Sequence, residues 1–326
     1  MTRLRRTGRR SHDVPPSFGF CDAAARWAWR SDIWDASVSR IAYVNGRYRP
    51  QAEAHVSIDD RAFTFGDGAY EVCEVRNGAL IEETRHLQRL TRSLASIRIA
   101  WPISEAALKI VMREVVRRNR VRDGLVYVQV SRGVARRDHG FPDGWVKPGL
   151  VVSARALNPE LLAARAAAGV AVITLPEERW AHPHIKTLQL LPNVLAKQAA
   201  REAGAFEAWF VDRAGYVTDG ASTNAWIVTA DGKLVTRQAD HSILHGVTRA
   251  AHFDVARRLG LWCEERPFTR RDALAAAEAF LTSATTIAIP VISIDGEPVG
   301  RGRPGETVAA LRRAFHDIAE KSRTIV

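Results

Sequence analysis

The chain has 326 residues, and its 47 Lys and Arg residues outnumber its 36 Asp and Glu residues to give a formal net charge of +11. A composition with 46% hydrophobic and 25% charged residues is typical of a folded globular protein and excludes overall disorder. The three cysteines, Cys21, Cys73 and Cys263, are too few and too widely spaced for a disulfide framework or a Cys-x-x-Cys metal site. We therefore expect a cytoplasmic setting and no bound metal.

The basic balance suggests one alternative, a nucleic-acid-binding protein, because a basic surface binds phosphates by releasing counterions. The arginines, however, occur as pairs beside apolar helical patterns, as at Arg257 and Arg258, which indicates the solvated faces of helices. The least polar stretch, residues 279–294, is too short and too polar to cross a bilayer. The sequence therefore predicts neither a nucleic-acid partner nor a membrane partner.

The first 40 residues differ from the rest of the chain. Arginines are frequent from Arg3 to Arg10, and no acidic residue precedes Asp13. No apolar segment follows these arginines, so we do not expect a secretory signal. We interpret residues 1–40 as a basic, disordered extension.

From Ile41 the pattern predicts a mixed α/β (α+β) protein with a small domain over residues 41–147. Asn45-Gly46 after an apolar run favours a hairpin turn. Apolar residues at helical spacing predict helices over 84–98 and 104–118. A strand is predicted over 125–130, followed by a charged loop over 132–148.

The second half predicts a larger domain over residues 153–326, joined to the first by a linker over 148–152. A strand is predicted at 150–153, next to this junction. Within the second half, strands are predicted at 170–175, 208–211, 225–228, 234–236, near 262, at 279–281 and at 291–294. Helices are predicted over 187–203, 247–259 and 270–277, and from residue 306. Neither a Gly-x-Gly-x-x-Gly nor a P-loop pattern is present, so the sequence does not support a dinucleotide or Walker site.

Lysine is scarce, and any chemistry that needs a primary amine has six candidates. Five of them have polar surroundings that predict a solvent-facing side chain, namely Lys109, Lys147, Lys197, Lys233 and Lys321. Lys186 instead precedes an apolar run, Leu188, Leu190 and Leu191, that we expect to be buried. A desolvated amine has a lowered pKa and is a better nucleophile, although a lysine at a helix start can also simply extend to solvent.

Two further features point to a bound phosphate and a carboxylate partner. Gly246-Val247-Thr248 lies at the N-terminus of a predicted helix, where free N–H groups suit a phosphate, although simple helix capping gives the same pattern. The hydroxyl residues between Thr282 and Thr286 add donors at a strand end. Asp219 is a candidate carboxylate, although its Asp-Gly pair is also a common turn. An amine, a phosphate cup and a carboxylate together describe a pyridoxal-phosphate site.

Four ordered motifs lie at residues 60–71, 184–191, 217–224 and 246–249. They resemble those of the class IV pyridoxal-phosphate aminotransferases, and within that family those of the bacterial D-amino-acid transaminases. The resemblance covers nearly everything from Tyr43 to Phe315, and its specificity lies in the order and spacing of the motifs. It implies two domains with the cofactor between them, a homodimer, and amino acids and 2-oxo acids as substrates.

The resemblance also implies a role for individual residues. Lys186 would form the Schiff base with the cofactor and move the proton. The cofactor would be held by Arg89, Asp219, Leu244, Val247, Thr248, Ser283 and Thr285. The substrate would be bound by Tyr70, Val72, Arg137, His139 and Ser222, with Tyr70, Arg137 and His139 on its carboxylate.

Two departures and several alternatives remain open at this stage. Asp219 stands where the family usually has Glu, and Ala284 stands where relatives have a threonine. Branched-chain L-amino-acid aminotransferases, (R)-amine transaminases and aminodeoxychorismate lyases share the family fold, and the Arg137 and His139 pair favours D-amino acids over these. The nucleic-acid-binding alternative rests only on the net charge and the basic N-terminus.

Overall fold

The computed structural model of the protein describes residues 40–326. The predicted disordered extension, residues 1–40, therefore lies outside the described residues except for Arg40. The described part contains a six-stranded and a nine-stranded β-sheet with helices packed against them, which confirms the predicted mixed α/β fold. Within residues 40–326, no helix is long and apolar enough to cross a membrane.

The first sheet is antiparallel throughout, in the order β2-β1-β6-β5-β3-β4. Asn45 and Gly46 take positive φ angles of 48° and 100° between β1 and β2, as the predicted hairpin requires. Helices α2 and α3 bury their apolar stripes against this sheet. The elements of this part are β1 Ile41–Val44, β2 Arg47–Pro50, α1 Arg61–Phe65, β3 Gly68–Arg76, β4 Ala79–Leu80, α2 Glu83–Ser96, α3 Glu105–Arg118, β5 Gly124–Ser131 and β6 Gly149–Ala156.

The second sheet is mixed, in the order β12-β11-β10-β13-β14-β7-β8-β9, with β15 paired to β14. One buried cluster packs around Trp209 and Phe268, and another around Trp226, Phe280 and Phe315. The elements of this part are α4 Pro159–Ala168, β7 Val170–Pro176, α5 Leu191–Glu202, β8 Glu207–Val211, β9 Val217–Gly220, β10 Asn224–Val228, β11 Leu234–Thr236, α6 Val247–Arg258, β12 Cys263–Glu265, α7 Arg270–Ala275, β13 Glu278–Ser283, β14 Ile287–Ile294, β15 Glu297–Pro298 and α8 Glu306–Ile318.

The structure places the predicted linker and one predicted helix start differently. Residues 149–152 form part of β6, so the first sheet continues to Ala156. Residues 187–190 are not helical, because Thr187 bridges Ala69 and the N–H of Leu188 donates to the carbonyl of Gly68 at 3.1 Å. Helix α5 starts only at Leu191, followed by a proline in the first turn. Leu191 is 68% exposed, so the prediction that it is buried is wrong.

Candidate active site

The Lys186 segment runs along the edge of the first sheet. The N–H of Tyr70 donates to the carbonyl of Lys186 at 3.1 Å, and the N–H of Lys186 donates to Oγ of Ser93 at 3.3 Å. The Lys186 Nζ lies 4.2 Å from the centroid of the Tyr70 ring. The side chain is partly buried. These contacts fix the backbone of Lys186 from both sides and direct its amine toward Tyr70.

Lys186 lines a cavity of about 210 Å³ that brings together most of the predicted site residues. The predicted residues that line it are Tyr70, Val72, Arg89, Lys186, Asp219, Ser222, Leu244, Val247, Thr248, Ser283 and Thr285. Both halves of the chain contribute to its walls, since the residues come from β3 and α2 as well as from the second sheet. The cavity therefore collects an amine, a guanidinium, a carboxyl group and several hydroxyls.

Arg89 is buried in a compact ion pair. Its Nε and Nη2 donate to the carboxylate of Glu71 at 2.7 and 2.8 Å, and Nδ1 of His86 lies 2.8 Å from the same carboxylate. Burial acts to raise the pKa of Glu71, but the Arg89 charge outweighs it and holds that pKa well below its usual range. The remaining Nη1 of Arg89 donates to the carbonyl of His245 at 3.1 Å. Glu71 thus orients Arg89 toward the start of α6.

The start of α6 provides backbone donors next to Arg89. Gly246 is the N-cap and offers no side-chain cap, so the N–H groups of the first turn have no partner within the helix. A Cβ at Gly246 would clash with Oδ1 of Asn224, which explains the glycine. Val247 and Thr248 follow directly in the cavity wall. A guanidinium beside a helix N-terminus is well suited to a phosphate group.

The hydroxyl residues after β13 form their own hydrogen-bonded cluster. Oγ of Ser283 lies 2.8 Å from Oγ1 of Thr285 and 2.9 Å from Oγ1 of Thr286. Ala284 lines the cavity beside them and contributes no hydroxyl. Oγ1 of Thr223, also in the cavity wall, is buried and has no hydrogen-bond partner within the described residues. This hydroxyl could therefore hydrogen-bond to a group bound in the cavity.

Asp219 lies in β9 rather than in a turn, and it is almost fully buried. Its Oδ1 accepts from Nδ2 of Asn224 at 2.6 Å, and its Oδ2 accepts from the N–H of Leu244 at 2.8 Å. Nη1 of Arg179 donates to the same Oδ2 at 3.2 Å. Burial raises the pKa of Asp219 to about 6, and these three donors oppose that rise. Near neutral pH the carboxyl group is therefore ionised, but easily protonated.

Arg179 and Glu177 belong to the site and were not predicted. Nη2 and Nε of Arg179 donate to the carboxylate of Glu177 at 2.6 and 2.9 Å. Burial acts to raise the pKa of Glu177, but Arg179 outweighs it and keeps that pKa below its usual value. The charge of Arg179 is thus shared between two carboxylates. Nothing in the local sequence pattern singles out Arg179.

Arg137 and His139 do not line this cavity in their own chain. Both are exposed, and both lie beside Phe65, at 5.2 Å for the Arg137 guanidinium carbon and 5.4 Å for the His139 ring. The backbone between these two residues is held in place, because Nη1 of Arg61 donates to the carbonyl of Asp138 at 2.6 Å. The structure therefore separates the expected carboxylate binders from Lys186.

Lys197 also departs from its prediction. Its Nζ donates to the carbonyl of Phe206 at 2.6 Å and lies 3.3 Å from the buried Glu207 carboxylate. Glu207 in turn accepts from Oγ of Ser222 at 2.7 Å. Lys197 therefore supports the wall of the cavity instead of facing only solvent.

Comparison with known proteins shows the family of this chain. The family model for amino-transferase class IV matches residues 68–294. The D-alanine aminotransferase of Bacillus licheniformis is 38% identical over 283 residues, which cover 86% of this chain and 98% of the relative. That of Staphylococcus aureus strain MSSA476 is 35% identical over 278 residues, covering 85% of this chain and 97% of the relative.

Solved structures show the same fold. The branched-chain amino acid aminotransferase of Escherichia coli has a TM-score of 0.80 at 25% identity, with 86% of this chain and 95% of that chain covered. A hypothetical aminotransferase from Mycobacterium tuberculosis in its PLP-bound form has a TM-score of 0.74 at 28% identity, with 84% and 98% covered. The chain belongs to the class IV aminotransferases.

Proposed function

We propose that this enzyme is a pyridoxal-phosphate-dependent transaminase that moves an amino group from a D-amino acid to a 2-oxo acid in a ping-pong cycle. An example is the conversion of D-alanine and 2-oxoglutarate to pyruvate and D-glutamate. The observation that carries the proposal is the placement of the Lys186 amine in one cavity with Arg89, the start of α6 and Asp219. The setting we propose is cytoplasmic.

The residues of the cavity fit pyridoxal 5'-phosphate. Arg89, the N–H groups of Val247 and Thr248, and the hydroxyls of Ser283 and Thr285 would hold its phosphate. Leu244 would pack against its ring. Oγ1 of Thr223, which has no hydrogen-bond partner among residues 40–326, is a further polar group that could hydrogen-bond to the cofactor. When bound, the cofactor supplies an aldehyde and an electron-withdrawing ring that stabilises negative charge at the substrate α-carbon.

Lys186 acts as the nucleophilic amine and afterwards as the acid–base group. Its backbone is hydrogen-bonded to Tyr70 and Ser93, so the position from which the side chain extends toward the substrate is fixed. Once free, the Lys186 amine would take the proton from the substrate α-carbon and deliver it to the carbon that carried the cofactor aldehyde. The Tyr70 ring lies 4.2 Å from Nζ and limits where the amine can swing.

Asp219 would keep a proton on the ring nitrogen of the cofactor. A carboxyl group with a pKa of about 6 is ionised at pH 7 to 8 and gains a favourable partner when a protonated ring nitrogen lies opposite it. Asn224, Leu244 and Arg179 fix the orientation of the carboxylate. These contacts hold in place a carboxylate that is one methylene shorter than the Glu usual in the family.

We infer that Arg137 and His139 bind the substrate carboxylate across a homodimer interface. Their loop is exposed and lies outside the cavity of its own chain. Large apolar side chains near it are also exposed, with Phe63 at 72%, Phe141 at 51% and Trp145 at 79%. An exposed apolar surface of this kind is typical of a protein interface. In a homodimer, Arg137 of one subunit would reach the cavity of the other, where its planar guanidinium can donate two hydrogen bonds to a carboxylate.

The preference for D-amino acids rests on the relatives, since the D-alanine aminotransferases are 35–38% identical to this chain. The branched-chain amino acid aminotransferase of Escherichia coli supports a second candidate activity on L-amino acids, but at 25% identity. The two proposals predict opposite stereochemical preferences. A direct substrate comparison therefore separates them.

The test is to mix cofactor-loaded protein with D-alanine, with L-isoleucine or with an (R)-amine, and to follow the absorbance of the cofactor. We expect conversion with D-alanine far faster than with the other two, and none with Lys186→Ala. Conversion of L-isoleucine, but not of D-alanine or the (R)-amine, would favour the branched-chain activity. Equal conversion by Lys186→Ala would show that the assigned amine is wrong.

A further inference from the structure

Four histidines gather beside the cavity and have no part in the proposed transamination. His182 and His184 lie on the segment that leads to Lys186, and His241 and His245 lie on the segment that leads into α6. The ring of His184 has its centroid 5.6 Å from that of His182, 4.5 Å from that of His241 and 6.3 Å from that of His245. His184 therefore joins two segments that both contribute to the cavity wall.

The nitrogen atoms of His184 and His241 face each other in a defined way. Nε2 of His184 lies 3.4 Å from Nδ1 of His241. Nδ1 of His184 lies 3.3 Å from the carbonyl oxygen of His241, and because a carbonyl only accepts, this nitrogen carries the hydrogen. The lone pair of His184 is consequently on Nε2, the atom that faces His241.

The 3.4 Å between Nε2 of His184 and Nδ1 of His241 suits two ligands of one metal ion. Two imidazole nitrogens at about 2.0–2.1 Å from a tetrahedral ion are roughly 3.3–3.4 Å apart. The bond from Nδ1–H of His184 to a backbone carbonyl is also the usual way in which a ligating histidine is oriented.

We propose that His184 and His241 bind one late first-row divalent cation, such as Ni²⁺, Cu²⁺ or Zn²⁺, for which imidazole is a preferred ligand. Water completes the coordination, because within residues 40–326 no group of three or more His, Cys, Asp and Glu residues is arranged to share an ion. With two protein ligands, the site is exchangeable rather than structural. The ion ties the segment before Lys186 to the segment before α6.

The experiment titrates Ni²⁺ into untagged, cofactor-loaded protein by isothermal calorimetry, without amino acid or chelator. We expect one ion per chain, and a loss of at least tenfold in affinity in both His184→Ala and His241→Ala. The exposed His55 provides a matched control, since His55→Ala removes an imidazole remote in sequence from the cluster. His182→Ala should also retain binding.

A second measurement guards against effects of the substitutions on folding. Thermal unfolding with and without Ni²⁺ should show a metal-dependent rise in the midpoint for the wild type and for His55→Ala, and none for the double variant of His184 and His241. Unchanged affinity in both single variants would overturn the proposal. Equal loss in His55→Ala would do the same, because the binding would then be nonspecific.

Discussion

Removal of the negative charge of Glu71 should destabilise the cofactor-free enzyme more than most substitutions. Glu71 is 2% exposed, and its carboxylate accepts two bonds from Arg89 at 2.7 and 2.8 Å and contacts His86 at 2.8 Å. Glu71→Gln keeps the shape but leaves the guanidinium of Arg89, itself 5% exposed, without a counterion. Breaking a buried pair in this way costs about 3–5 kcal/mol in the free energy of unfolding.

The cofactor should reverse part of this loss. A phosphate bound beside Arg89 supplies the missing negative charge, so pyridoxal phosphate should stabilise Glu71→Gln more than it stabilises the wild type. Glu74→Gln is the matched control, because Glu74 is on the same strand and its carboxylate pairs with the partly exposed His316. We expect the control to lose about 1 kcal/mol or less.

Urea unfolding of both variants and the wild type, with and without cofactor, measures these differences. A loss in Glu71→Gln no greater than in Glu74→Gln would refute the assigned role of the pair. An equal cofactor effect in Glu71→Gln and the wild type would refute the placement of the phosphate beside Arg89.

Three further predictions follow from other parts of the site. The pKa of Asp219 is raised from 3.8 to about 6, so the folded protein binds the proton more tightly than the unfolded chain does. The resulting contribution to the free energy of unfolding is present below pH 4 and is lost as the pH rises through 6. At about 1.4 kcal/mol per pKa unit, the loss is about 3 kcal/mol. In urea unfolding of the cofactor-free proteins, the free energy of unfolding of Asp219→Asn should not show this fall between pH 4 and 6. A pH dependence equal to that of the wild type would contradict the assignment. Arg137→Ala should raise KM for D-alanine at least tenfold and leave turnover of a simple amine unchanged in steady-state kinetics, whereas equal losses would exclude a carboxylate role. Ala284→Thr should add a hydroxyl beside Ser283 and lower the dissociation constant of the cofactor, as measured by equilibrium dialysis. A higher dissociation constant would show that the phosphate site has no room for the added side chain.

The sequence predicted the periodic elements well because their apolar faces are regular. Helices α2 and α3 were placed within two residues, since Leu87, Leu90 and Leu94 mark the buried stripe directly. Helix α4 was not predicted, because only Ala166 is buried there and no apolar period exists to be recognised. The sequence features that could have indicated the start of α4 are the N-cap residue Asn158 and the proline that follows it, Pro159.

The tertiary contacts of the site could not be read from one sequence. The bond from Tyr70 to Lys186 and the ion pair of Arg179 with Asp219 join residues that are far apart along the chain. A charged residue such as Arg179 gives the same local pattern whether it is buried in a network or lies on a helix surface. The exposed position of Arg137 likewise depends on the fold of a long loop that has no hydrophobic period.

The most direct test of the account is chemical identification of the amine that bonds to the cofactor. Borohydride fixes the bond between the cofactor aldehyde and a lysine, and peptide mass spectrometry then locates the phosphopyridoxyl group. We predict that the label is on the side chain of Lys186, that Lys197 and Lys109 are unmodified, and that the label is lost in Lys186→Ala. A label on another lysine, or one retained in that variant, would contradict the account.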